Sequence, residues 1–211
     1  MKLSIRTKVV ILILGWLLFD QIVKIVVKTN MSLGESIPVF GQWFIIHFVE
    51  NNGMAFGVSM GGVAGKIALT LFRLIAVVGL GYFIHKMIQK EAPTGFILAL
   101  ALITAGAAGN IIDSAFYGVI FNESGFANGM VANSGIAEMF PKEGGYAPFL
   151  QGKVVDMLYF PIIRGTWPEW SPINAGESFE FFRPIFNLAD TAITCGVFWV
   201  LIFQRKALRE I

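Results

Sequence analysis

Val9-Val-Ile-Leu-Ile-Leu-Gly-Trp-Leu-Leu-Phe-Asp20-Gln-Ile-Val-Lys24-Ile-Val-Val27 is the stretch that decides the fold of this 211-residue chain. It is apolar for about the 20 residues that an α-helix needs to cross a bilayer core roughly 30 Å thick. Asp20 and Lys24 interrupt it, four positions apart, so they share one helix face and can pair. A carboxylate in hydrocarbon costs about 2.5–3.5 kcal/mol on insertion scales, and such residues usually face a bundle interior or a watery cavity. The basic start, Met1 to Lys8, has the look of a signal peptide, but no small-residue cleavage site follows. The run is therefore read as a retained first span.

The rest of the chain repeats the pattern. Apolar segments recur at Ile67–Phe83, Phe96–Ile112 and Ala189–Phe203. These readings place transmembrane helices at about 8–27, 66–86, 94–113 and 185–204, the last beginning near Pro184, a residue suited to a helix N-terminus. Composition agrees: 55% of residues are hydrophobic and 14% charged, against about 25% charged in soluble domains. The chain reads as one integral membrane domain, 1–211, without an internal repeat. A net charge of +2 is too small to argue for nucleic acid. The one cysteine, Cys195, lies in the last apolar run and is expected to be an inert buried thiol.

Basic residues set the orientation. Lys2, Arg6 and Lys8 precede the first span, Lys86 and Lys90 separate the second from the third, and Arg205, Lys206 and Arg209 follow the fourth. The positive-inside rule puts all three clusters in the cytoplasm. Both termini are then cytoplasmic, and segments 28–65 and 114–184 are extracytoplasmic. Trp43 to Val49 is rich in β-branched and aromatic residues and predicts a small sheet at the membrane surface. Residues 122–150, rich in Gly, Asn and Ala, and 164–180, with Pro, Trp, Glu and Ser, predict loops.

This topology gathers the buried carboxylates. Asp20 lies 12 residues beyond Lys8, roughly 18 Å along the first helix and past the midplane. Asp113 ends the third span, Asp190 begins the fourth, and Asp156 lies in the apolar outer stretch Val154 to Phe160. All four converge near the outer surface. Asn110 precedes Asp113 by three residues, as Asn187 precedes Asp190, so each asparagine can bond its aspartate or a neighbouring backbone group. Asp20–Lys24 reads as a supporting or orienting pair, and Asp113 can also be a helix-end residue bonded to backbone. Two close carboxylates in a low dielectric share a proton, so one can activate water while the other protonates a scissile carbonyl. That chemistry requires neither metal nor cofactor, and neither His47 nor His85 stands at a metal-ligand spacing from the carboxylates. A proton-coupled carrier would spread its acids through the membrane depth and show a repeat. A non-catalytic assembly subunit would tolerate loss of either aspartate.

Five strings in order complete the pattern: Asp20-Gln-Ile-Val-Lys24, Glu50-Asn-Asn-Gly-Met-Ala-Phe-Gly57, Gly109-Asn-Ile-Ile-Asp113, Val154-Val-Asp156 and Phe186-Asn-Leu-Ala-Asp190. On a four-span chain of this length they resemble the type II signal peptidases, the bacterial lipoprotein signal peptidases. The resemblance implies a membrane fold of four transmembrane helices with a small extracytoplasmic β-cradle and long outer loops. It implies an aspartic endopeptidase of the bacterial inner membrane, acting at the outer leaflet. The substrate would be a prolipoprotein, cut before a diacylglyceryl-modified cysteine, and globomycin-like cyclic peptides would inhibit. The implied catalytic pair is Asp156 and Asp190. Asp20, Lys24, Asn51, Gly53, Asn110, Asp113, Asn187 and Ala189 would shape the site or hold substrate. The sequence departs from the family at Ser114, where arginine is usual, leaving Arg73, Arg164 or Arg183 to supply that charge. It also departs at Met54, where alanine is usual, and in two insertions near 115–150 and 164–180, the second lying between the paired aspartates.

Overall fold

The computed structural model describes residues 3–52, 62–126 and 135–209. Gly53 and Met54 lie outside the described residues. Three helices are long and apolar enough to cross a membrane: α1 (Ile5–Lys28), α2 (Gly62–Gln89) and α3 (Thr94–Ile120). A fourth, α4 (Leu188–Phe203), has 16 residues and spans about 24 Å. A short helix, α5 (Arg205–Arg209), follows it.

The start of the first helix has a local cause. Ser4 caps α1, its hydroxyl accepting from the Thr7 amide at 3.1 Å. On α1 the buried residues Asp20, Lys24, Val27 and Lys28 recur at spacings of three and four, so one stripe faces inward. Val10, Ile11, Leu14, Leu18, Phe19, Ile22 and Val26 face outward. That outward apolar surface is the membrane signature: hydrocarbon replaces the core on one side of the helix.

Three expectations about the helices change here. The third span does not end at Asp113. A π-helical turn, Asp113–Tyr117, carries α3 on to Ile120, and Asp113 is fully buried inside it. The extra residue per turn re-aims the side chains at a functional position, a frequent use of π-bulges. The fourth helix does not begin near Pro184, because Ile185–Phe186 is a strand and Asn187 caps the helix. Cys195 is exposed, not buried, and lies on the outward surface of α4 with Val197, Phe198 and Trp199.

The sheet has four antiparallel strands in the order β1 (Ser36–Phe40), β2 (Phe44–Asn51), β3 (Val154–Tyr159) and β6 (Ile185–Phe186). Val155 and Met157 pack with Phe48, Tyr117 and Phe121 in the outer apolar cluster. Strand alternation then turns Asp156, between them, to the opposite face. The segment expected as a loop at 164–180 is a loop at 167–177, but its two ends pair as a hairpin, β4 (Ile163–Thr166) with β5 (Ser178–Phe181), forming a separate two-stranded sheet. The earlier insertion folds back along the end of α3. Its amides at Phe140, Ala147, Leu150 and Gly152 donate to the carbonyls of Ile120, Gly118, Ala115 and Ser114. These are the acceptors a helix C-terminus leaves unsatisfied.

Helices α3 and α4 approach closely because α3 carries small residues along Ala99 to Gly109. A Cβ at Gly106 would stand 2.2 Å from the Ala189 carbonyl oxygen, and one at Gly109 would stand 2.7 Å from Asp20 Oδ2. Both neighbours are fixed, one as backbone and one by ion pairing. Gly106→Ala is expected to cost about 1–3 kcal/mol through overpacking. A lowered thermal-unfolding midpoint of the purified protein in detergent, beside an unchanged midpoint for Gly79→Ala at an open position, is the expected result.

Candidate active site

The polar residues of five elements, α1, β2, α3, β3 and α4, meet in one network. Its base is Lys24, whose ammonium reaches Asp113 Oδ2 at 2.7 Å, Asp20 Oδ2 at 2.9 Å and Asn110 Oδ1 at 3.0 Å. An ammonium has three donors, and all three find acceptors. Lys24, Asp20 and Asp113 are each sealed from solvent. Asp20 also accepts the Ala189 amide at 2.9 Å, which ties α1 to the first turn of α4. Asp113 accepts from Gln21 Nε2 at 2.8 Å and from the Val155 amide at 3.4 Å, tying α3 to α1 and to β3. Gln21 in turn accepts from the Tyr117 hydroxyl at 3.1 Å.

Above this base stand the two carboxylates expected to do chemistry. Asn187 and Asp190 form a reciprocal capping box: the Asp190 amide donates to Asn187 Oδ1 at 2.9 Å, and the Asn187 amide donates to Asp190 Oδ2 at 3.4 Å. The cap of α4 therefore fixes Asp190. Asn110 Nδ2 donates to Asp190 Oδ1 at 2.8 Å. Asn187 Nδ2 donates to Asp156 Oδ1 at 2.7 Å and to Asn110 Oδ1 at 3.0 Å. Asn51 Nδ2 donates to Asp156 Oδ2 at 3.3 Å. Each carboxylate is thus held by asparagine amides, and the asparagines hold each other. Asp156 is buried and Asp190 is part-exposed, so one wall of the pair is open.

Burial pushes the Asp156 carboxyl up to about 7, and the neighbouring Asp190 charge adds to the rise. A carboxyl withdrawn from water beside a second negative charge keeps its proton more readily. The network joins Asp20, Lys24, Asn51, Asn110, Asp113, Asn187 and Ala189 to Asp156 and Asp190. Asn110 bonds Lys24, Asn187 and Asp190 through its side chain, not Asp113, its sequence neighbour. Of the arginines considered for the charge missing at Ser114, Arg164 pairs with Glu180 at 3.4 Å on the hairpin. Arg183 is exposed, whereas Arg73 on α2 lies within electrostatic reach of Asp190, Asp156 and Asp113. Ser114 itself donates to the Asn110 carbonyl at 2.9 Å. The histidines lie elsewhere: His47 shares a hydrogen bond with Ser36 and His85 with Gln89.

Sequence reasoning did not single out Gln21, Tyr117 or a second buried pair, Lys28 with Glu50. Lys28 bonds Glu50 and, at 2.8 Å, Ser124 Oγ, while Lys153 reaches Glu50 at 3.2 Å and Glu123 at 2.9 Å. This second cluster clamps the first insertion onto β2, one residue before Asn51. Lys28 is four residues beyond Lys24, the one signal the sequence carried.

Two neighbouring carboxylates held by asparagine amides, where apolar helices long enough to cross a membrane meet a small sheet, fit the class of membrane enzymes. The model of the family described as signal peptidase (SPase) II matches residues 12–205, and the chain belongs to that family, a family of peptidases. A lipoprotein signal peptidase of Porphyromonas gingivalis is 47% identical over 192 residues, covering 90% of this chain and 80% of that protein. Another, from Amoebophilus asiaticus, is 32% identical and covers 90% of this chain and 75% of its own. A solved bacterial membrane enzyme, determined by the in meso method at 2.3 Å, shares the fold with a TM-score of 0.58 at 24% identity, covering 94% of this chain and 88% of that one.

Removing Lys24 leaves two buried carboxylates without their cation, a loss worth about 3–5 kcal/mol. Lys24→Met is expected to lower the thermal midpoint sharply in detergent. Lys24→Met combined with Asp113→Asn should recover part of the loss. A pH titration gives a second check. The native state holds the Asp156 proton more tightly than the unfolded chain, so this group's stabilising contribution is full below the ordinary value of 3.8 and is lost as pH rises through about 7. Asp156→Asn should therefore flatten the dependence of stability on pH across that interval, read by thermal unfolding at stepped pH.

Proposed function

We propose that this protein is an aspartic endopeptidase that removes signal peptides from diacylglyceryl-modified prolipoproteins, cutting just before the lipidated cysteine. Asp156 and Asp190 are its catalytic pair. The observation that carries the reading is their joint suspension from Asn51, Asn110 and Asn187, with Asp156 raised to about 7. Asp190, part-exposed, deprotonates a water, and Asp156, which carries the shared proton, protonates the scissile carbonyl oxygen. The gem-diol intermediate then collapses: its C–N bond breaks as the proton held by Asp190 passes to the leaving amine, and Asp156 takes a proton back from one of its hydroxyls, which re-forms the carbonyl. Lys24, Asp20 and Asp113 hold the frame, Ala189 links it to α4, and Gly53 with its neighbours contributes to substrate binding.

The family membership and the relatives' names support the substrate class. Four spans, with α4 as the short one, put both termini in the cytoplasm of the bacterial inner membrane and the pair at the outer leaflet, where a diacylated cysteine resides. The outward apolar surfaces of the helices meet lipid, and globomycin-like cyclic peptides compete for the chamber.

Purified protein incubated with a diacylglyceryl-modified prolipoprotein should yield a shortened lipoprotein on a gel, and globomycin should block it. Asp156→Asn and Asp190→Asn should each lower the rate by about 10²–10⁴-fold or more, with unfolding midpoints that show a folded protein. Cleavage at an undiminished rate in either variant removes the pair from the chemistry.

A further inference from the structure

The hairpin β4–β5 is built inside out. Residues directly opposite in an antiparallel pair share a face, so Ile163 sits with Phe181, Gly165 with Phe179, Arg164 with Glu180, and Thr166 with Ser178. One face is therefore Ile163, Phe181 and Phe179, with the Phe179 ring lying over Gly165 and Trp167 against that ring at 5.1 Å. The other face is Arg164, Glu180, Thr166 and Ser178. A hairpin in water turns its apolar face to the protein and its polar face to solvent. Here it is the charged side that touches the protein, at Tyr159 alone: its hydroxyl donates to Glu180 and its ring centre lies 5.9 Å from the Arg164 guanidinium, while Thr166 and Ser178 farther along stand exposed. The apolar face points away, with Ile163 53% and Phe181 60% exposed, and Trp170 in the connecting loop is 83% exposed.

A second observation fixes what lies against that face. Phe44, Phe160, Phe186 and Phe182 form a chain of ring contacts at 4.7, 5.8 and 6.3 Å, ending one residue beyond Phe181. Phe186 is two residues from the start of α4, where the Leu188 carbonyl accepts from Trp16 and the Ala189 amide donates to Asp20. Asp20 lies eight residues, about 12 Å, short of the outer end of α1. The rings therefore stand at the depth of the outer leaflet, and the hairpin's apolar face continues from them. Tryptophans and other aromatic rings favour that interface.

We propose that β4–β5 is a lipid-contacting anchor. Its Ile163–Phe179–Phe181–Trp167 face lies in the outer leaflet of the bilayer, and its Arg164–Glu180 face closes back on β3. The anchor would steady the segment that joins Asp156 to Asp190, whichever bond the enzyme cuts.

Site-directed spin labelling of the full chain in phosphatidylethanolamine–phosphatidylglycerol vesicles tests it. With Cys195→Ser as background, labels are placed singly through Ile163→Cys, Phe181→Cys, Thr166→Cys and Ser178→Cys, all at exposed positions. The expected result is a severalfold higher ratio of oxygen to nickel-chelate accessibility at 163 and 181 than at 166 and 178. Equal aqueous accessibility at all four overturns the proposal. So does spin–spin broadening that scales with protein density, which would mean a second copy, or shielding that appears only with added prolipoprotein, which would mean the substrate. Independently of cysteine, in a chain with Trp16, Trp43, Trp170 and Trp199 replaced by phenylalanine, lipids brominated in their acyl chains should quench the remaining Trp167. Unquenched Trp167 emission also overturns it.

Discussion

A single ammonium in a dry place governs this structure. Lys24 is fully buried in a helix whose opposite face meets hydrocarbon, and it can remain charged there only because Asp20, Asp113 and Asn110 surround it. Satisfying it requires α1 and α3 to meet at one register. Asp20 then uses its other oxygen on the Ala189 amide of α4, and the Asp113 oxygen that meets Lys24 also accepts the Val155 amide of β3. One cation thereby sets the mutual position of three helices and the strand that carries Asp156. The need for exact ligation, not any large favourable energy, gives the bundle its uniqueness.

The chemistry is layered on this base through amides. A side-chain amide can donate to one carboxylate and accept from a cation or another amide, without a charge of its own to be balanced. Asn110 does this between Lys24 and Asp190, and Asn187 does it between Asn110 and Asp156. The chain of amides passes orientation from the ion cluster to the proposed catalytic pair while keeping Lys24 off them. A lysine bonded directly to either aspartate would hold it ionised. Spaced by amides, Asp156 keeps a raised affinity for its proton.

Local pattern carried part of this into the sequence. Spacing of four gave Asp20–Lys24, spacing of three put Asn187 beside Asp190 without showing that it caps the helix, and β-branched and aromatic residues gave the strand at Trp43–Val49. What failed to show was anything decided by tertiary partners or by the solvent. Asp113 looked like a helix end because a carboxylate is a poor guest in an apolar helix, yet Lys24, remote in sequence, makes it acceptable mid-helix. Cys195 looked buried because apolar neighbours mean burial in water, whereas in a span they also mark the lipid side. The hairpin at 163–181 hid behind prolines, tryptophans and strands of four residues. Its alternation was present, but the face it turns outward is the one a water-based reading turns in.

The insertion between the two aspartates need not disturb them, and pairing explains why. Leu158 pairs with Phe186 and Tyr159 with Ile185, so the chain is zipped shut immediately after Asp156 and immediately before Asn187. Whatever lies between begins and ends at that zipper. Closing a longer loop costs entropy that grows only with the logarithm of its length. The cost falls further if the loop orders itself as a hairpin of its own, as this one does. The first insertion is handled by different means, by donating its amides to the end of α3 and fastening Ser124 and Glu123 to Lys28 and Lys153. In both cases added length is tied off where it leaves the frame, so the asparagine chain and the pair it carries see the same neighbours that a shorter protein would give them.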